Sequence, residues 1–158
     1  MKLREQTLEV GFRSQEPTFQ SHQLGFVEGL WRHDCGELFL FQPSTGRYLE
    51  INLAPNGAWW SCAFSGVRTR DVQIDPPQLE NIESKPADVG WSAGFSLPLS
   101  EVERCLGDST NLKANVTLIL GGCPDISPSL ENLHSLATLS AVDFHRPDEW
   151  LQLEELLD

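Results

Sequence analysis

The stretch between residues 35 and 64 constrains the fold most, because it alternates apolar and polar side chains and is interrupted only by turn sequences. Such alternation is typical of strands, whose successive side chains point to opposite faces of a sheet. Residues 42–47 contain Pro, Ser, Thr and Gly, and Asn56-Gly57 is a strong hairpin sequence. The stretch therefore predicts three consecutive antiparallel strands, at residues 35–41, 48–53 and 58–64.

The rest of the chain also consists of short apolar runs, punctuated by ten prolines and twelve glycines. This spacing indicates about nine to eleven strands in one domain covering residues 1–158, which favours an antiparallel β-sandwich or jelly roll. Residues 65–90 are weakly patterned and predict loops with one or two edge strands. Further strands are predicted at residues 7–13, 91–97, 112–120, within 133–144, and at 150–156.

One short helix is predicted after residue 99. Ser100 and Glu103 have the spacing of a capping box, and Gly107 stands where such a helix would end. Because this helix is barely two turns long, the predicted fold class remains all-β.

The two turns decide which side chains share a face of the predicted sheet. If Phe41 lies opposite Tyr48, one face is apolar and belongs to the core, whereas the other is mixed. A two-residue turn at Asn56-Gly57 then places Trp60 on the core face and Trp59 on the mixed face. A shift of one residue would reverse the two tryptophans, and the preferred register is the one that buries the more apolar set. The mixed face carries Glu37, Phe39, Phe41, Tyr48, Glu50 and Asn52.

A sheet face with this mixture of side chains is suited to carbohydrate. Aromatic rings cover the apolar C–H face of a sugar ring, while carboxylates and amides bind its hydroxyl groups. The alternative is an ordinary sheet face whose aromatic side chains are covered by a loop. The pattern by itself favours that alternative.

Charge and composition restrict the partners. The net charge is −12 and the isoelectric point is about 4.6, so nucleic acid and anionic membranes are repelled and neutral ligands fit better. Residues 1–10 lack the apolar run of a secretory signal, and no run approaches the roughly 20 residues that span a membrane. A cytoplasmic location is therefore expected. The cysteines lack metal-binding spacing and are expected to be buried free thiols: Cys35, Cys62, Cys105 and Cys123.

Three sequence blocks resemble the bacterial DOMON-like proteins, which are similar to family 9 carbohydrate-binding modules. The blocks are GLWRHDCGELFLF, YLEINLAPNGAWW and DFHRPDEW, which follow the family order and spread over most of the chain. In the first block, Gly36 stands where the family usually has an aromatic residue. The matching positions are Trp31, His33, Cys35 and Glu37 in the first block, Tyr48, Glu50, Asn52, Pro55, Gly57 and Trp59 in the second, and Asp143, Phe144, His145 and Pro147 in the third.

The resemblance implies a β-sandwich of the immunoglobulin or jelly-roll kind and a non-catalytic role in binding a carbohydrate or another small polar ligand. In the sugar-binding modules, one tryptophan of a sandwiching pair precedes a strand glutamate, which Trp31 and Glu37 match. Asn52 matches an amide contact, and His134 stands where the second tryptophan is expected. The predicted ligand-binding residues are Trp31, Glu37, Glu50, Asn52, Trp59, His134 and His145.

No cofactor or metal ion is expected. The haem-binding members of the wider family use a methionine and a histidine, and Met1 is the only methionine of this chain. Ligation of haem by two histidines is the remaining alternative, from among His22, His33, His134 and His145. A metal site could be formed by Asp143, His145 and Asp148, although a histidine in such a segment more often fixes a loop.

Three other functions remain open. The mixed face could meet a protein partner or a second subunit of a homodimer, if it is a large apolar patch without a concave pocket. Glu37 and Glu50 lie on neighbouring strands, roughly 8 Å apart at the backbone, and could serve as the carboxyl pair of a glycoside hydrolase. Cys35 could be a nucleophile with His33 as its base, but a buried structural thiol is the simpler interpretation.

Overall fold

The short apolar runs form eleven strands and one α-helix in the described part of the chain. The structure is a computed structural model and describes residues 1–16, 18, 22–86, 89–121, 132–141 and 143–158. The strands form two antiparallel sheets, which confirms the predicted all-β sandwich. The elements are β1 (Lys2–Arg4), β2 (Thr7–Ser14), β3 (Cys35–Gln42), β4 (Arg47–Leu53), β5 (Trp59–Gly66), β6 (Thr69–Arg70), β7 (Glu80–Pro86), β8 (Trp91–Pro98), α1 (Leu99–Leu106), β9 (Lys113–Ile119), β10 (Leu133–Ser135) and β11 (Leu151–Gln152).

The four-stranded sheet has the strand order β1-β2-β8-β7. Its longest pair is β2 with β8, in register from Thr7 opposite Pro98 to Ser14 opposite Trp91. Alternate side chains of both strands are apolar and point into the core between the two sheets. These inward side chains are Leu8, Val10, Phe12, Trp91, Ala93, Phe95 and Leu97.

The seven-stranded sheet has the order β10-β9-β3-β4-β5-β6, and β11 also pairs with β9. Phe41 lies opposite Tyr48, so the predicted register of β3 and β4 is confirmed. The core face of this pair carries Leu38, Leu40, Leu49, Ile51 and Leu53. The outer face, which points away from the other sheet, carries the polar and aromatic side chains predicted for the mixed face.

The register of β4 and β5 differs by one residue from the predicted one. Trp59 lies opposite Leu53, and Trp60 lies opposite Asn52. Trp59 therefore belongs to the core face, where it packs against the apolar cluster between the sheets. Trp60 belongs to the outer face, so the predicted orientations of the two tryptophans are wrong.

The turn between β4 and β5 explains this shift. Ala54 N–H donates to Ala58 O at 2.8 Å, which encloses a loop of three residues and not two. The last loop residue, Gly57, has a φ of 86°, the left-handed conformation that closes three-residue hairpins. Asn56 Oδ1 accepts a hydrogen bond from Ala58 N–H at 3.0 Å and stabilises this turn.

The outer face of the seven-stranded sheet is covered, as in the alternative interpretation of the sequence. The segments around Leu30 and Trp150 lie over it and form a second apolar cluster with its strands. Tyr48 and Phe64 stack with their ring centroids 4.5 Å apart and an interplanar angle of 2°. Trp150 lies 5.3 Å from the Phe39 ring. The sheet therefore buries apolar side chains on both faces.

The helix α1 ends where the sequence predicts, but its start differs from the prediction. Pro98 precedes its first residue and Ser100 lies inside the first turn without a capping hydrogen bond, so the predicted capping box is wrong. Gly107 ends the helix with a φ of 87°, as predicted. The helix buries Val102, Cys105 and Leu106 in the core. No helix among the described residues is long and apolar enough to cross a membrane.

The chain ends also depart from the prediction. Lys2–Arg4 form an additional strand, β1, which pairs with β2 on the side opposite to β8. The predicted last strand at 150–156 is reduced to β11, because Leu153–Leu156 form a 3₁₀-helix. Gln152 and Glu155 form a capping box at its start, which favours helical backbone there.

Gly36 is required by the packing of the two sheets. A Cβ atom at this position would lie 2.2 Å from Cγ of Phe12, because the phenyl ring fills the space above the glycine. Phe12 belongs to the opposite sheet, so its ring reaches Gly36 across the core. The two positions are therefore complementary.

Replacing Gly36 by alanine is expected to lower the free energy of unfolding by about 1–3 kcal/mol, because Phe12 must shift in a packed core. Gly11→Ala is the matched control on β2, where an added Cβ meets no atom within 4 Å; its effect should stay within about 0.5 kcal/mol. Urea denaturation of both variants measures the difference. Equal effects would contradict the proposed fit of Phe12 over Gly36.

Candidate functional site

A cavity of about 370 Å³ lies on the outer face of the seven-stranded sheet. This volume is in the range of small-molecule sites. The strands β3, β4 and β5 contribute residues to it, and the segments around Trp31 and His145 contribute others. Its aromatic lining consists of Trp31, Phe39, Trp60, Phe64 and Phe144, and its polar lining of Glu37, Glu50, Arg68, Arg70, Asp143 and His145.

Two buried carboxyl groups line the cavity. Glu37 and Glu50 are 2% and 5% exposed. Thr117 Oγ1 donates to Glu37 Oε2 at 2.8 Å, and Asn52 Nδ2 donates to Glu50 Oε1 at 3.1 Å. Burial and the charge of Glu50 raise the pKa of Glu37 to about 8, and burial raises the pKa of Glu50 to about 7. The pair therefore retains at least one proton at neutral pH.

His145 is held in a defined protonation state beside this pair. Burial and the charge of Arg68 lower the pKa of His145 to about 4, so its ring is neutral at pH 7. Tyr48 Oη accepts a hydrogen bond from the Arg68 backbone N–H at 3.0 Å and lies 2.7 Å from His145 Nδ1. Because Tyr48 Oη already accepts from Arg68, we assign its hydroxyl as the donor to Nδ1, and this assignment places the imidazole proton on Nε2. Nε2 faces Glu50 Oε2 at 3.6 Å, too long for a hydrogen bond.

Two arginines of the cavity lining form ion pairs. Arg68 Nη2 lies 2.7 Å from Asp143 Oδ1, and Arg70 Nη2 lies 2.6 Å from Glu28 Oε1. Both arginine side chains are about half exposed or more. Their charges are therefore compensated by acidic partners and are screened by solvent.

Two tryptophans from different segments meet in the cavity. The ring of Trp31 contacts the ring of Trp60 edge-on, with centroids 5.5 Å apart. The guanidinium carbon of Arg70 lies 5.1 Å from the Trp60 centroid, which is a cation–π distance. Trp60 is thereby fixed on two sides, while Trp31 remains half-buried.

The structure brings four of the predicted site residues together in the cavity lining: Trp31, Glu37, Glu50 and His145. Asn52 is fully buried next to them and orients the Glu50 carboxyl group through its side-chain amide. These five residues come from four segments: the one around Trp31, strands β3 and β4, and the distant segment around His145. Their proximity follows from the pairing of β3 with β4 and from the segment that covers the sheet.

Two predicted site residues lie elsewhere, and the structure corrects their placement. Trp59 points to the core side of the sheet and contacts Phe26 edge-on at 4.9 Å, as a result of the shifted hairpin register. His134 is exposed on β10, opposite Leu118. Its neighbour Leu133 lines the cavity instead.

Sequence reasoning missed several residues of the cavity. Trp60 and Phe64 would have been placed here by the alternative register, which the sequence left open. Arg68 and Arg70 come from a weakly patterned stretch that gives no signal of proximity to Glu50. Their position depends on the short pairing of β5 with β6.

The alternative chemistries find little support in the geometry. Cys35 is completely buried, and burial raises the pKa of its thiol well above the ordinary value, so a reactive thiolate is disfavoured. Cys62 and Cys105 are also free thiols, while Cys123 lies outside the described residues. In the described ranges, no group of three or more His, Cys, Asp or Glu side chains is arranged to hold a metal ion. This covers the proposed set of Asp143, His145 and Asp148.

Comparisons with known proteins support the fold. A crystal structure of a protein from Bacteroides uniformis, described as a "putative carbohydrate-binding protein", matches with a TM-score of 0.63 and 14% sequence identity. The match covers 92% of this chain and 72% of that chain. No family model matches the sequence, and no curated protein matches it. The chain therefore has the fold of that protein.

The raised pKa of Glu37 predicts a pH dependence of stability. Between its ordinary value of about 4.5 and about 8, the folded state binds more protons than the unfolded state. The free energy of unfolding therefore falls as the pH rises from 6.5 to 8.5, and Glu37 contributes up to about 1.4 kcal/mol per pH unit to this slope. Glu50, whose pKa is raised to about 7, adds to the slope in the lower part of the window. His145, whose pKa is lowered to about 4, contributes below this window. Urea denaturation at several pH values measures the slope.

The variant Glu37→Gln should show a flatter dependence over the same window, because its side chain does not titrate. Glu83→Gln is the matched control, since Glu83 is exposed on β7 of the other sheet. The control should keep the slope of the original protein. A slope that survives Glu37→Gln unchanged would rule out a buried proton on Glu37.

Proposed function

We propose that this protein is a non-catalytic module that binds a carbohydrate or a closely related small polar ligand in the cavity on the outer face of the seven-stranded sheet. One observation carries the proposal: aromatic rings and buried polar groups converge in one concave site. Such a combination suits a sugar, which presents apolar C–H faces and many hydroxyl groups. The fold shared with the Bacteroides uniformis protein is consistent with this role.

In this proposal, Trp31 and Trp60, which contact each other edge-on, form one apolar wall against which a face of the sugar ring lies. Glu37, Glu50 and the Nε2–H of His145 bind its hydroxyl groups. Trp60 takes the place that the sequence assigned to Trp59, because it lies on the same side of the sheet as the carboxyl pair. Asn52 acts indirectly, by holding Glu50.

We also propose that residues 1–158 act as one DOMON-like unit that is related to family 9 carbohydrate-binding modules. The support is the arrangement of Trp31, Glu37 and Asn52, which match the motif and lie at or beside the cavity. A cytoplasmic location is part of the proposal. The three free cysteines among the described residues agree with a reducing compartment.

The geometry of the cavity favours one of the two other candidate functions over the other. A concave, partly polar cavity is less suited to a protein partner or a second subunit than a flat apolar patch would be. Hydrolysis is the stronger alternative, because Glu37 and Glu50 have environments that hold a proton near neutral pH, as a general acid requires. It is therefore kept as the second candidate.

Sugar binding is tested by saturation-transfer difference NMR with a panel of mono- and oligosaccharides. At least one sugar should receive saturation from the protein. Trp31→Ala and Trp60→Leu should weaken its binding by about tenfold or more, because buried aromatic contacts dominate such sites.

Trp59→Leu is the matched control, since it removes a tryptophan from the opposite side of the same strand. It should leave the affinity unchanged while all three variants keep dispersed amide spectra. Loss of binding in the control but not in Trp60→Leu would place the ligand elsewhere. A broad panel without any binding would refute the proposal.

The second candidate predicts turnover. Any oligosaccharide that binds should be incubated with the protein for days and examined for reducing ends, with Glu50→Gln alongside. The proposal expects binding without hydrolysis. Hydrolysis that disappears in Glu50→Gln would establish the protein as an enzyme and overturn the non-catalytic role.

A further inference from the structure

The two buried carboxyl groups of the cavity, Glu37 and Glu50, are not joined to a cation by a short contact. In the described part of the chain, no arginine or lysine forms an ion pair with Glu37 or Glu50. Each carboxyl group has one short hydrogen bond, from Thr117 and Asn52 respectively. A buried carboxylate without a counter-ion is unfavourable by several kcal/mol, so such a site binds either a proton or a cation.

The amide of Asn52 adds an unsatisfied acceptor to this pair. Its Nδ2 is used by Glu50, while its Oδ1 is fully buried and has no hydrogen-bond donor among the described residues. Asn52 lies directly opposite Glu37 in the register of β3 and β4. An unsatisfied buried acceptor costs about 1–3 kcal/mol. Asn52 itself does not line the cavity and holds Glu50 in place, whereas the carboxyl groups of Glu37 and Glu50 do line it. The group that best complements these two carboxyl groups has several donors and a positive charge.

The aromatic lining suits the same group. A cation within about 6 Å of an aromatic ring face is attracted by the ring, most strongly by tryptophan. Trp31, Trp60, Phe39 and Phe64 all line the cavity together with the two glutamates. Apolar walls around an acidic centre resemble the aromatic cages that recognise ammonium groups.

We propose that the cavity binds a ligand that carries a protonated amine, which for a carbohydrate means an amino sugar. Its ammonium group lies against the carboxyl groups of Glu37 and Glu50, which line the cavity. The inference rests on the proposed function, because it names the ligand class for the same cavity.

The other ionisable groups around the cavity do not oppose this assignment. Arg68 and Arg70 also line the cavity, and their charges act on Glu50, but each is paired with an acidic side chain, Asp143 and Glu28 respectively. His145 is neutral, because burial lowers its pKa to about 4. Tyr48, Cys35 and Cys62 are neutral as well, since burial raises the pKa of each. The net charge of −12 also attracts cations to the protein.

Binding of the ammonium group is coupled to loss of a proton from the carboxyl pair. In the empty cavity, burial favours the protonated form of both glutamates near neutral pH. An adjacent ammonium favours the carboxylate form, so a proton passes to the buffer. A neutral sugar supplies no charge and releases little or no proton.

The test compares matched pairs of sugars by isothermal titration calorimetry at pH 6.5, where the amines are charged. The pairs are glucose with glucosamine, galactose with galactosamine, and mannose with mannosamine; the N-acetyl derivatives are neutral controls. At least one amino sugar should bind about tenfold tighter than its two neutral counterparts, because charged hydrogen bonds are stronger. Titrations in buffers of different ionisation enthalpy should show release of about half to one proton.

Two variants test whether the preference for amino sugars depends on Glu37. Glu37→Gln keeps an acceptor for Thr117 but removes the charge, so the preference for the amino sugar should fall to about twofold or less. Glu83→Gln removes the same charge from the other sheet and should leave the preference intact. A preference that survives Glu37→Gln would overturn the inference.

The outcomes separate the inference from the proposed function. Equal binding of amino and neutral sugars, without proton release, would overturn the amine assignment and leave the carbohydrate-binding proposal standing. Absence of binding to all of these sugars and to the wider saccharide panel would overturn both.

Discussion

The burial of two carboxyl groups on one face of a β-sheet is the constraint on which the cavity depends. Glu37 and Glu50 are more than nine-tenths buried, although neither forms an ion pair with an arginine or lysine of the described residues. Such groups are expensive to bury unless they are protonated and hydrogen-bonded. Thr117, Asn52 and the neutral ring of His145 supply the polar surroundings that make this arrangement tolerable.

The segments that cover the outer face of the seven-stranded sheet explain why the site is a cavity. The seven-stranded sheet has its main core on one face, against the other sheet, and a second apolar cluster on the other. Aromatic side chains such as Phe39 and Phe64 contribute to this second cluster and also line the cavity. The same aromatic rings therefore determine both the packing on the outer face of the sheet and the shape of the cavity.

Much of the architecture could be predicted from the sequence, because it follows from local patterns. The strands of residues 35–64 and the pairing of Phe41 with Tyr48 follow from the alternation of side chains and from a turn that contains Pro, Ser, Thr and Gly. The register of the hairpin at Gly57 does not follow from the sequence alone, because an Asn-Gly sequence closes loops of either two or three residues. A difference of one residue exchanges Trp59 for Trp60 in the site.

The remaining site residues could not be predicted, because their positions depend on long-range packing. Arg68 approaches Tyr48 and Asp143 through a loop that has no strand pattern. His145 follows from the resemblance, but its contact with Tyr48 spans 97 residues of sequence. The alternation of apolar and polar residues along the sequence does not indicate a contact between segments so far apart.

The most direct measurement of the central claim is a ¹³C NMR titration of the glutamate side-chain carboxyl groups. The account predicts two carboxyl groups with apparent midpoints between about 7 and 8, both assigned to the Glu37–Glu50 pair. Addition of a bound amino sugar should lower both midpoints. If every glutamate carboxyl titrates below pH 6 in the empty protein, the pair is hydrated and ionised, and the account of a buried, proton-holding binding site is contradicted.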